Sequence, residues 1–97
     1  MDKTTATKAV TEVLTQIQTG QKLECPPLNG EIKPLRDLVR FDSPMSIAAT
    51  GMIARKLKIT IPPKTNVFGD KTGKFTIDKI SGILCHLADE QKKNKAA

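Results

Sequence analysis

The stretch Leu35-Arg36-Asp37-Leu38-Val39-Arg40-Phe41-Asp42-Ser43 decides how this chain is read. A mostly apolar segment follows at once, from Met45 to Ile61, and closes in Ile59-Thr60-Ile61-Pro62. Asp42 and Ser43 are both good helix caps, and Pro44 suits a first helical turn, where no backbone donor is needed. The pattern predicts a helix from about Ser43 to Lys56 or Lys58, with Ile47, Ala48, Met52, Ile53 and Leu57 as its buried stripe. Ala48, Ala49 and Gly51 are small enough for close helix approach, although Gly51 costs about 1 kcal/mol relative to Ala inside a helix. Arg55 and Lys56 suit the negative end of the helix dipole.

Upstream, Val10, Val13, Leu14 and Ile17 repeat at i, i+3, i+4 and i+7, one stripe of an amphipathic helix. It is expected from Thr4 or Thr5 to Thr19, with threonines as caps and Gly20 as a stop. Residues 21–34 then form a long connection rich in turn formers, pinned by Leu23 and Leu28. Leu35 to Val39 suggests a short helical turn with Leu35 and Leu38 inward. Downstream, Ile59-Thr60-Ile61 is too short and isolated for a sheet. Thr65 to Val67 is expected as a short helix, and Gly69 to Lys74 as a polar turn. The last helix starts at Thr76 and Asp78, carries Ile77, Ile80, Ile83 or Leu84, and Leu87 inward, and runs to about Ala88. The expected fold is all-α: a small bundle of three main helices plus one short helix, with a long loop between the first two main helices. One domain spans 1–97, with an ordered core at about 4–88 and a frayed tail at 89–97.

The 97 residues leave room for one modest core and not for a deep cleft between domains. Hydrophobic residues make up 38% and fall in periodic runs, as in a folded chain. The polar N-terminus lacks the apolar stretch of a signal peptide, and no run is long enough to span a bilayer. A cytoplasmic monomer without membrane attachment is expected. Cys25 and Cys85 are then expected as reduced thiols. With His86 the single histidine, zinc ligands are too few at any usual spacing.

The net charge of +6 raises nucleic-acid binding. The cations are spread along the chain, however, and the aromatics are 3%, all Phe, which leaves little for stacking on bases. Nucleic acid is therefore not the expected partner. Catalysis has equally thin support. A nucleophilic serine needs a base, and His86 sits late on the last helix. The run from Gly69 to Lys74 lacks the order of a phosphate-binding loop. The chain is not expected to be an enzyme.

Leu-x-x-Leu, Phe41, Asp42-Ser43, the apolar helix, Ile59-Thr60-Ile61-Pro62 and Thr76-Ile77-Asp78-Lys79-Ile80 together resemble the acyl carrier protein family, including peptidyl carrier domains. The resemblance runs from the first helix to Leu87. It implies an acyl-carrier-like bundle in which Ser43 carries a 4'-phosphopantetheine arm from coenzyme A, with Asp42 as the motif partner. It implies acyl groups held as thioesters in lipid or secondary-metabolite biosynthesis, a phosphopantetheinyl transferase, and acyl-transferring or condensing enzymes as partners. The chain departs from the family in two ways. Pro44 stands where the family usually has Leu. The helix from Pro44 to Lys58 lacks the usual acidic residues. Specialised partners with acidic or apolar faces are then expected, docking at Met45, Ile47, Arg55 and Lys56. The alternatives are a basic helical binding module using Arg36, Arg40, Arg55, Lys56 and Lys58 against nucleic acid or an acidic protein, and an unmodified carrier-like scaffold.

Overall fold

The computed structural model describes residues 2–23, 28–38, 40–61, 65–70 and 73–96, with only the main chain described for Ser43, Asp70 and 92–96. Cys25, the Pro26-Pro27 turn, Val39, Pro62 and Pro63 lie outside the described residues. The architecture is mostly helical. Its elements run α1 (Lys3–Gly20), α2 (Pro34–Asp37), α3 (Ser43–Leu57), β1 (Gly69–Asp70), β2 (Gly73–Lys74) and α4 (Ile77–Ala96).

α1 is the central helix and packs on both α3 and α4. Its expected stripe is buried, joined by Ala6 and Ala9. Asp2, rather than a threonine, caps it, accepting from the Thr5 amide at 2.7 Å. The hydrogen bond from the Thr5 side chain, more than that from its amide, holds the Asp2 carboxyl below the usual carboxylate range. Ile77, Ile80 and Leu84 of α4 complete the seam with α1.

The long connection is tied down at the start of α4. Ile77 and Asp78 donate their amides to the carbonyls of Ile32 and Gly30 at 2.8 and 2.9 Å. Leu28 and Ile32 pack against the core beside them. α4 also begins as expected, with Thr76 Oγ1 accepting from the Lys79 amide at 3.1 Å. It continues beyond Ala88 to Ala96, however. Gln91 gives the extension a tertiary anchor. Its Oε1 accepts from the Thr60 amide at 2.8 Å, and its Nε2 donates to the Thr60 carbonyl.

The short helix lies before α3, at Pro34–Asp37, and not at Thr65 to Val67. Asn66 is the reason. Its Oδ1 accepts from the Phe68 amide two residues on at 2.9 Å, a side-chain-closed turn that competes with helix. The polar turn is a minimal antiparallel hairpin, with Gly69 opposite Lys74 and Asp70 opposite Gly73. Gly69 is required there: a Cβ would stand 2.9 Å from the Gly73 carbonyl and 3.0 Å from Leu35 Cδ1. That close approach presses the hairpin onto α2.

α3 keeps Ile53 buried and Met52 and Leu57 half-buried against the core, as expected, but its inward face is rotated away from Ile47 and Ala48. Ser46, Ala49, Thr50, Ile53 and Ala54 point inward, while Ala48 is exposed and Ile47 is 41% exposed. Two hydroxyls sit in that buried face because partners are supplied from the 65–68 segment. Asn66 Nδ2 donates to Ser46 Oγ at 2.6 Å, and the Val67 amide donates to Thr50 Oγ1 at 3.3 Å.

Candidate functional site

The approach to α3 is built from short-range constraints. Asp37 ties α2 to the residue before it, accepting from the Lys33 amide at 2.8 Å and from Arg36 Nε at 2.8 Å. Arg36 first, and the Lys33 amide second, hold the Asp37 carboxyl below the usual range. Leu38 then enters the core. Arg40 adopts the left-handed conformation at φ 57°, which few non-glycine residues do. The reversal lets Phe41 turn inward onto Phe68, edge to face, with ring centres 5.1 Å apart.

Asp42 follows in extended conformation and caps α3. Its Oδ1 accepts from the Met45 amide at 3.1 Å, and its carbonyl accepts from the Ser46 amide at 2.8 Å. Ser43 is therefore the first residue of α3, and Pro44 comes second. Neither position has an intrahelical acceptor for a backbone N–H, so proline costs nothing there. The Ser43 side chain itself lies outside the described residues. At the far end Lys58 takes the left-handed conformation, and the Ile59 amide closes the helix onto the Ala54 carbonyl at 3.0 Å.

Beside the start of α3 lies an open depression of about 420 Å³, lined by Leu35, Leu38, Arg40, Phe41, Asp42 and Lys74. Its floor is apolar and its exposed rim carries two cations against one carboxylate. That carboxylate is engaged with the Met45 amide of α3. An anion at this place meets two positive side chains and the positive end of a helix dipole. Lys74 arrives through the hairpin that Gly69 permits, from more than thirty positions along the chain. Sequence spacing gives no signal for that meeting.

The residues expected to dock partners separate into two groups. Ile47 and Arg55 are exposed on the outer side of α3. Met45 is half-buried and packs against the core. Lys56 Nζ pairs with Glu12 Oε2 at 2.6 Å and so ties α3 to α1. That Lys56 contact holds the Glu12 carboxyl below its usual range. Pro44, Ala48 and Lys58, absent from the expected set, share the exposed face with Ile47 and Arg55.

His86 lies exposed on α4, with Nε2 3.1 Å from Glu90 Oε1. Among the described residues no group of three or more His, Cys, Asp or Glu could hold a metal ion. No helix, over the same residues, is long and apolar enough to cross a membrane. No family profile, curated protein or solved structure matches the chain.

Proposed function

We propose that this chain is a specialised, non-catalytic acyl carrier, with Ser43 bearing a 4'-phosphopantetheine arm donated by coenzyme A. The observation that carries the reading is the Asp42–Ser43 start of α3 beside a depression with a cationic rim and an apolar floor. The arm supplies a thiol that holds an acyl group as a thioester. The chain's own residues suit such a group. Arg40 and Lys74 offer charge to a phosphodiester at the start of α3, and Leu35, Leu38 and Phe41 offer an apolar bed beside it. Asp42 caps the helix and serves the transferase as the motif carboxylate. The setting is lipid or secondary-metabolite biosynthesis in the cytoplasm, with the protein acting as a monomer. Its partners are a phosphopantetheinyl transferase and acyl-transferring or condensing enzymes.

The basic-module alternative loses part of its surface. Arg36 is engaged by Asp37 and Lys56 by Glu12, so two of the five cations assigned to that face are already paired.

Intact mass after incubation with coenzyme A and a panel of phosphopantetheinyl transferases tests the proposal. The expected result is a gain of one arm that Ser43→Ala abolishes. Absence of any gain across the panel, with the wild-type chain folded, overturns it.

A further inference from the structure

The outward face of α3 begins at the proposed attachment site and has a built-in polarity. Pro44, Ile47, Ala48, Gly51 and Arg55 fall within about a third of the helix circumference. All but the half-buried Gly51 are exposed, and Lys58 extends the row at the helix end. The half nearest Ser43 is apolar and the far half is basic. From Ser43 to Lys58 there is no Asp or Glu. Ile47 is the exposed large hydrophobic residue among those described. Its neighbours Ala48 and Gly51 leave the surface low, and a Cβ at Gly51 would meet nothing within 4 Å. Internal packing therefore does not account for glycine at this position.

The two cations on this face are left to solvent, as are Lys8 and Lys22 elsewhere, and what sets them apart is the exposed apolar row they extend. Lys56, one position from Arg55, is taken up by Glu12. Arg55 and Lys58 have no ion pair among the described residues, and by helical spacing Arg55 falls on the same face of α3 as Ile47.

We propose that this face docks an acidic protein partner, one with an apolar pocket for Ile47 and carboxylates facing Arg55 and Lys58. The proposal deepens the carrier reading and rests on it for why a partner would approach Ser43. A protein fits better than a nucleic acid. A polyanion with evenly spaced phosphates has no use for the apolar half of the row, and the face has no aromatic ring for a base to stack on. An acidic patch beside an apolar pocket satisfies both halves and fixes the direction of docking.

The test is a titration of the full-length chain by backbone-amide NMR. The probe is a glutamate-rich peptide carrying one leucine anchor, with a lysine-rich counterpart and a single-stranded RNA oligomer run in parallel. Shifts confined to Ile47, Ala48, Gly51, Arg55 and Lys58 are expected with the acidic peptide, weakening as salt is raised. Ile47→Ser and the pair Arg55→Glu with Lys58→Glu should each weaken binding by about tenfold. Lys8→Glu with Lys22→Glu should leave it unchanged. Gly51→Ala should weaken docking, whereas Gly82→Ala, on the exposed side of α4, should not. Shifts scattered over α1 and α4 overturn the proposal, as do equal losses from the Lys8 and Lys22 reversals, or an absence of shifts. Tighter RNA binding through the same residues overturns the choice of a protein partner. Arm loading of the same variants separates the two readings. Docking kept without loading sinks only the carrier, and loading kept without docking sinks only this surface.

Discussion

The seam between α1 and α4 and the seam between α3 and the 65–68 segment are made of different materials. The first is largely aliphatic: Val10, Val13 and Leu14 meet Ile77, Ile80 and Leu84, with the Thr7–Ser81 hydroxyl pair at 2.8 Å beside them. The second adds to its apolar contacts a relay of polar groups through Ser46, Thr50 and Asn66. Aliphatic packing is non-directional and tolerates small sliding of one surface over another. Hydrogen bonds fix register. The difference teaches where this small domain needs accuracy, which is at the segment that carries Phe68 under Phe41 and the hairpin with Lys74 beside α3.

The largest expected effect breaks the aliphatic seam. Leu14→Ala removes a fully buried side chain and should cost about 3 kcal/mol, a large part of the stability of a domain this size. Denaturant unfolding should show the midpoint falling with the transition still cooperative. The polar seam should fail differently. Asn66→Ala deletes the donor to Ser46 Oγ and the acceptor of the Phe68 amide, at a cost of about 1–2 kcal/mol. Amide hydrogen exchange should accelerate at Val67 and Phe68 while the protection of α1 and α4 is retained. Uniform acceleration across all helices would mean that the two seams are one cooperative unit.

The same contrast explains what could be read from sequence. The stripes of α1 and α4 are visible because they are aliphatic and regularly spaced. The stripe of α3 is partly misread because two of its inward positions, Ser46 and Thr50, are hydroxyls whose partners lie 17 to 20 residues away. Hydropathy assigns such residues to solvent, and Ile47 and Ala48 are drawn inward in their place. The length of α4 is hidden for a related reason, since Gln91 is held by the main chain of Thr60, a contact without local signature. At the candidate site, the Asp42 cap is legible because capping is a local rule. The meeting of Arg40 with Lys74 is not, because it depends on a glycine in a two-residue strand.

The smallest effect separates the two roles given to Asp42. Its carboxylate caps α3, and Asp42→Ala should cost about 1 kcal/mol by exposing the Met45 amide without an acceptor. Asn caps about as well as Asp, so Asp42→Asn should keep the thermal midpoint near that of the wild type. The charge is gone in both variants. If the carboxylate also serves the transferase, arm loading at Ser43 should be slow in both, and the Asn variant should be slow while fully folded. Loading at the wild-type rate with Asn, slowed only with Ala, would reduce Asp42 to a cap. The recognition of Ser43 would then depend on Arg40, Lys74 and the face that begins at Pro44.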